Sequence, residues 1–215
     1  MVLRSTTSRW LPLLTVMLVV LAACSQTDAS GSSDDETPFE AVPLAEGTPK
    51  PDFTLTDTDG NEFDFIAETA GSTTLLFFGF TNCPDICPPH LAQIASVLRL
   101  PDSPTNVKVV FVTVDPDRDT PEAIRAFLDN FSTSFIGLTG DIADIDEAQR
   151  QTGLSVAIRE EPDENGNYNV GHSGEMRAYA PNGLGYVTFP FGTRQSQFAH
   201  DLAILDRLRS LDDQP

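Results

Sequence analysis

Thr73-Thr74-Leu75-Leu76-Phe77-Phe78-Gly79-Phe80 is a near-continuous apolar run, the pattern of a strand buried on both faces of a mostly parallel sheet. Val107-Lys108-Val109-Val110-Phe111-Val112-Thr113-Val114 repeats it. Leu91, Ile94, Ala95 and Leu98 recur at helical spacing after the first run, and Ile124, Phe127, Leu128 and Phe131 after the second. Thr120-Pro121-Glu122 marks the start of the second helix. Strand, helix, strand, helix in this order predicts an α/β sandwich. Working outward, Asp52–Thr56 and Glu62–Phe65 alternate around Asp57-Thr58-Asp59-Gly60-Asn61, a hairpin signal at the N-terminal edge. A third helix is expected over Ile142–Thr152, and strands near Val156–Arg159, Met176–Ala180 and Tyr186–Phe191. A last amphipathic helix is expected from Gln195 to Leu211.

The chain has 215 residues, but its N-terminal stretch is atypical, and one domain over residues 49–211 is the economical reading. A formal charge of -19 repels phosphate backbones and anionic headgroups, so nucleic acid is excluded as a partner and basic residues cannot supply membrane attachment. The N-terminus offers another route. Arg4 and Arg9 precede an apolar run from Leu11 to Ala22, shorter than the ~20 residues that span a bilayer, and small residues follow. This is a secretory signal over residues 1–23. Leu21-Ala22-Ala23-Cys24 looks like the lipobox of bacterial lipoproteins, in which the cysteine becomes the lipidated first residue. The expected location is extracytoplasmic, periplasmic or at the outer face of the cell membrane, with the lipid on Cys24 as anchor. Residues 24–48 carry too few large apolar side chains to offset the entropy of ordering and read as a disordered acidic tether.

Lipidation of Cys24 leaves Cys83 and Cys87 in a compartment where thiols oxidise unless protected. They lie in Phe78-Gly79-Phe80-Thr81-Asn82-Cys83-Pro84-Asp85-Ile86-Cys87-Pro88-Pro89, where a buried strand hands over to a helix. Four residues apart, the pair can share a helical face close enough to form a disulfide. A helix N-terminus favours the thiolate, making the sulfurs better nucleophiles and ligands. A zinc site lacks its second cysteine pair, whereas soft thiolates suit Cu(I) or a redox partner. His172, in the glycine-flanked loop Tyr168–Gly174, is the best third ligand. His90, three residues after Cys87, is the substitute, although a solvated helix position is the favoured reading; His200 reads as exposed. Met176 fits strand packing better than a thioether ligand. Asp115, Asp117 and Asp119 invite a calcium reading that fails on spacing, since the sixth and twelfth places hold Thr120 and Ala126. A loop with Asp119 or Thr120 as helix cap is expected instead.

The chain resembles the Sco/SenC family of copper proteins involved in cytochrome c oxidase assembly. The resemblance rests on Phe78–Thr81 with Cys83–Pro88, on Val112-Thr113-Val114-Asp115-Pro116-Asp117-Arg118-Asp119-Thr120-Pro121, on Ile136–Gly140, and on His172-Ser173. It implies a thioredoxin-like three-layer sandwich with an N-terminal β-hairpin and an added hairpin near the site. It also implies copper, Cu(I) or Cu(II), on Cys83, Cys87 and His172, delivered to the dinuclear copper centre of oxidase subunit II. Family members commonly carry Asp before the histidine, where this chain has Gly171, which alters support for the imidazole.

Three readings compete. A copper carrier turns over no substrate. A thiol-disulfide oxidoreductase would use Cys83 and Cys87 as a redox dithiol, recharged by a thiol reductant, to keep a partner's copper-site cysteines reduced. Thioredoxin-like reductases use CxxC and a cis-proline, where this chain has CxxxC and His172, which favours a ligand. A peroxiredoxin-like peroxidase lacks its upstream proline and threonine, those slots holding Leu76 and Phe80.

Overall fold

The computed structural model describes residues 38–208. The signal segment, Cys24, most of the acidic stretch and residues 209–211 of the expected last helix lie outside the described residues.

The chain enters through β1 (Val42–Pro49) and the hairpin β2 (Thr54–Asp57) and β3 (Glu62–Asp64). The hairpin turn closes on the Asp57 carboxylate, which accepts from the Asp59 and Asn61 N–H groups, and Gly60 supplies the positive φ of 86° that the turn needs. One helical turn, α1 (Phe65–Glu68), capped by Asp64, leads into β4 (Thr73–Gly79), where every residue is buried. Then come α2 (Cys87–Leu98), β5 (Val107–Thr113), α3 (Pro121–Asp129), β6 (Ile136–Thr139) and α4 (Ile142–Gln151). A small hairpin of β7 (Ile158–Arg159) and β8 (Val170–Gly171) precedes β9 (Met176–Tyr179), β10 (Leu184–Phe189) and α5 (Gln195–Leu205).

Eight strands form one mixed sheet in the order β1-β10-β9-β4-β5-β6-β2-β3, and β7 and β8 pair separately. β4 lies inside it, parallel to β5 with Phe77 beside Phe111, and antiparallel to β9 with Phe77 beside Met176. Its apolar run is thereby explained, because neither face nor edge meets water. On one face Phe77 meets Phe111 at 6.2 Å, and Phe198 of α5 stacks on Phe189 at 4.2 Å. On the other, Phe65 of α1 meets Tyr179 edge-on at 6.1 Å. Each such side chain contributes about 1.5–3 kcal/mol on burial. The result is the expected α/β sandwich of thioredoxin type, with the hairpin β2–β3 at one edge and β7–β8 as the added hairpin. Among the described residues no helix is long and apolar enough to cross a membrane.

The tether reading is corrected at its C-terminal end. Val42–Pro49 pairs antiparallel with β10, with Val42 opposite Thr188 and Pro49 opposite Leu184. Buried Asp201 of α5 accepts from the backbone N–H groups of Glu40 and Ala41, so the domain begins before residue 49. A proline-bearing edge strand with a bulge buries little of its own surface, so composition does not reveal it. Ile136–Thr139, quoted above only as a motif, becomes β6, parallel to β5.

Candidate metal centre

The site forms where β4 ends. Gly79 O accepts from Val114 N at 2.7 Å, which fixes the strand's exit against β5. The chain then turns sharply. Thr81 donates to the buried Asp119 carboxylate through its N–H at 2.9 Å and its hydroxyl at 2.5 Å, while Thr113 Oγ1 donates to it at 2.6 Å. Cys83 sits in this turn, its N–H bonded to Phe80 O, and Cys87 is the first residue of α2. The sulfurs therefore meet by a turn closing onto a helix start, not along one helical face as the spacing suggested. Pro88 and Pro89 occupy first-turn positions where a backbone N–H would have no helical acceptor. The Cys87 N–H that remains points at Cys83 Sγ, 3.4 Å away.

Close approach is possible because residue 79 has no side chain. A Cβ there would lie 2.6 Å from Cys87 Sγ and 2.8 Å from Phe111 Cε2.

The imidazole arrives on the β7–β8 hairpin, which a second buried carboxylate holds. Asp115 accepts from the Tyr168 hydroxyl at 2.5 Å and from Arg118 Nε at 2.5 Å. Arg118 lies 3.7 Å above the Tyr168 ring and donates to Tyr168 O at 3.1 Å. His172 follows β8 directly. Its Nε2 lies 3.6 Å from Cys83 Sγ and 3.7 Å from Cys87 Sγ, and its Nδ1 lies 2.8 Å from Ser173 O. A carbonyl can only accept, so the proton belongs on Nδ1 and the Nε2 lone pair faces the sulfurs. Gly171 is exposed with open space around it, and the imidazole takes its support from Ser173 O instead.

The two thiols are electrostatically unequal. The hydrogen bond from the Cys87 thiol, with further ones from the Cys87 and Ile86 backbone, outweighs burial and pulls Cys83 down to about 3. Cys87 is pushed up, first because its thiol donates to Cys83, then because it is buried beside that negative charge. Cys83 is thus the first thiolate, and Cys87 holds its proton while the Cys83 charge stands beside it. Among the described residues, Cys83, Cys87 and His172 are the one group of three or more Cys, His, Asp or Glu with donor atoms within 4.8 Å of one another. Two soft sulfurs and one imidazole nitrogen suit Cu(I) better than the hard cations that oxygen ligands serve. An open groove of about 410 Å³, lined by Cys83, Asp85, Arg118, Tyr168 and His172 among others, gives access.

The other candidates separate clearly. Met176 is fully buried in β9, as its strand packing suggested. His200 is exposed and contacts the Asp201 carboxylate at 2.8 Å. His90 corrects the solvated reading: it is 2% exposed, enclosed by Phe77, Phe191 and Phe198, and neither ring nitrogen has a partner. Thr120 is the cap of α3, accepting from Ala123 N. Asp115 and Asp119 are the site's anchors, a role that the spacing argument against calcium left unread.

Residues 43–205 match the family model described as SCO1/SenC. The chain belongs to the SCO1/SenC family. The match begins inside β1 and encloses both cysteines, His172 and both anchoring aspartates. Copper-bound ScoI of Bradyrhizobium japonicum is 32% identical, with 75% of this chain and 99% of that one aligned at a TM-score of 0.64. Copper-bound yeast Sco1 is 25% identical over 78% and 96% of the two chains, at 0.69. A SCO2-like protein of Rickettsia conorii is 36% identical over 57% of this chain and 60% of its own. The chain spans about half to two thirds of the length of the curated relatives it matches.

Proposed function

We propose that this SCO1/SenC domain is a copper carrier that takes up Cu(I) on Cys83, Cys87 and His172 and delivers it to the dinuclear copper centre of cytochrome c oxidase subunit II. One observation carries the reading: Nε2 of His172, its other nitrogen already committed to Ser173 O, stands 3.6 and 3.7 Å from two sulfurs. That pattern of a fixed tautomer and a converging lone pair is what a ligating histidine requires. Copper bound to its ScoI and yeast Sco1 relatives supports the cargo. Delivery proceeds by ligand exchange. The incoming site's sulfur replaces one bond at a time, and the loosest attachment, His172 on its small hairpin, leaves first. The domain works outside the cytosol, tethered by a lipid on Cys24.

Dithiol chemistry at the same pair is the second reading, favoured by the inequality of the thiols. Cys83, as thiolate, attacks a partner's disulfide, and Cys87 then resolves the mixed disulfide with release of the reduced partner. Cys83 and Cys87 end as the oxidised pair, and an external thiol reductant restores them.

The test is Cu(I) titration of reduced protein against a chromophoric chelator, for the parent and His172→Ala. The expected result is one Cu(I) per chain and a loss of about tenfold or more on removing the imidazole, as metal-site ligands typically show. Equal affinity of parent and variant would sink the carrier reading while leaving the dithiol reading standing.

A further inference from the structure

His90 is the one described histidine whose two nitrogens are both buried and without a partner. An imidazole so placed is destabilising relative to an apolar ring of the same shape, and Phe77, Phe191 and Phe198 already make the pocket one that phenylalanine would fill. Its position says what the nitrogen could serve. His90 stands one helical turn after Cys87, and residues three apart on a helix project from the same face. Phe77 is wall to both histidines, its ring 5.2 Å from His90 and 6.2 Å from His172. Burial keeps the His90 ring neutral, so it has a lone pair and no proton to shed.

The cover over His90 is coupled to the segment that carries His172. Phe191, 52% exposed and followed by Gly192 at φ +92°, lies over His90 at 6.3 Å. A Cβ at Gly174 would come within 3.4 Å of Phe191 Cβ and 3.3 Å of Ile86 Cγ2, so the chain beyond His172 packs directly on Phe191 and on the residue before Cys87. The cover over His90 therefore shares its packing with the segment that carries His172.

We propose that His90 is a reserve ligand, which takes up Cu(I) beside Cys87 when His172 leaves the site, so that the ion keeps a nitrogen and two sulfurs during handover. The Cu–N bond to His172 breaks and one to His90 forms; copper remains Cu(I) throughout. This rests on the copper-carrier reading above.

The experiment is a double-mutant cycle in reduced protein, reading Cu(I) affinity by chelator competition and copper–nitrogen scattering by X-ray absorption. His90→Phe alone should bind within about twofold of the parent, because His172 is in place. His172→Ala should keep a nitrogen in the copper shell, and His172→Ala/His90→Phe should lose it and bind about tenfold or more weakly than His172→Ala. A double variant equal to His172→Ala in affinity and spectrum overturns the proposal. His90→Leu, which removes the nitrogens with a different shape, should reproduce the His90→Phe result; a loss seen with only one of them would assign the effect to packing and overturn it too. A parent that binds no Cu(I) defeats the carrier reading itself, and a normal parent with an inert His90 defeats only the reserve ligand.

Discussion

Two glycines flank the metal centre, and the structure assigns them opposite fates on substitution by alanine. At Gly79 the new methyl would sit 2.6 Å from Cys87 Sγ and 2.8 Å from Phe111 Cε2, about 1 Å inside ordinary contact for both. Neither neighbour can yield cheaply. Phe111 is fully buried against Phe77 and Phe127, and Cys87 is fixed at the first position of α2 between Ile86 and two prolines. Overpacking of this kind costs about 1–3 kcal/mol, so Gly79→Ala should lower the urea midpoint of the metal-free protein accordingly. The larger effect falls on the site. Cys87 Sγ is 3.7 Å from His172 Nε2, and a forced shift of about 1 Å takes the sulfur out of the geometry in which all three donors reach one ion. Cu(I) affinity should fall about tenfold or more. At Gly171 an added Cβ meets nothing within 4 Å, and Gly171→Ala should match the parent in both stability and affinity. Chelator competition and urea denaturation on the two variants side by side decide the matter. A Gly79→Ala protein with parental affinity and midpoint would refute the close-approach argument, and a Gly171→Ala protein as damaged as Gly79→Ala would show that the hairpin, not the strand end, is the constrained element.

Further expectations concern the anchors and the buried bases. Tyr168→Phe removes the hydroxyl that Asp115 accepts at 2.5 Å and should cost about 1–2 kcal/mol by thermal unfolding. It should also speed Cu(I) release while leaving the rate of Cys83 alkylation in the metal-free protein unchanged, since the Cys83 turn hangs on Asp119. His90 should set an acid limb of stability. Burial lowers it to about 4 in the fold, and the unfolded chain takes up its proton first, near 6.5. Stability should therefore drop by roughly 3 kcal/mol as pH falls from 6.5 to 4 and level off below. His90→Phe should flatten that limb in pH-resolved denaturation; a slope that persists unchanged would assign it elsewhere. At the opposite end of β4, Lys50 donates to Thr69 O, Thr69 Oγ1 and Thr74 Oγ1, and burial, aided by Lys108, lowers it to about 8. The unfolded chain holds this proton up to about 10.5, so Lys50 should make stability rise with pH between 8 and 10.5, a slope that Lys50→Met abolishes.

The parts legible in the sequence were those whose signal is local. Thr73–Gly79 and Val107–Thr113 announce buried strands because their residues, Lys108 apart, are apolar or small, and two cysteines at a strand-to-helix junction announce chemistry by type and place. His172 could be ranked above its rivals because its glycine-flanked loop precedes a strand destined for the sheet. What escaped was held from far along the chain. β1 owes its order to backbone pairing with β10 and to Asp201, 160 residues away, neither of which leaves a mark on Val42–Pro49 itself. His90 shares a helical face with Cys87 and Ile94, but its polar type favoured a solvated reading over that spacing. α5 packing alongside α2, with Phe198 against the imidazole, is what closes that side. Asp119 and Asp115 read as loop acids because their partners, Thr81 and Tyr168, come from separate turns.

Those two carboxylates explain how three donor side chains from distant positions come within 4.8 Å of one another. Asp119 faces the turn that carries Cys83, and Asp115 faces the hairpin that carries His172, yet both issue from the exit of β5. They are not independent clamps. Thr113 Oγ1 donates to Asp119 and accepts from the Asp115 N–H, and Asp119 N donates to Asp115 O at 2.9 Å, so moving one carboxylate moves the other. β5 itself is fixed to β4 along its whole length, down to Val114 N on Gly79 O, and Gly79 is where Cys87 Sγ rests. The sulfur of Cys87, the turn of Cys83 and the hairpin of His172 are therefore all positioned from one strand end. The end of a central strand can hold them at 3.6 and 3.7 Å, whereas the His172 segment belongs to a separate two-residue pairing outside the main sheet, tied to it by Asp115, Arg118 and Arg159, and is the part of the site with the least backbone pairing. A carrier needs that asymmetry, since it must hold its ion firmly and still have one bond that yields first.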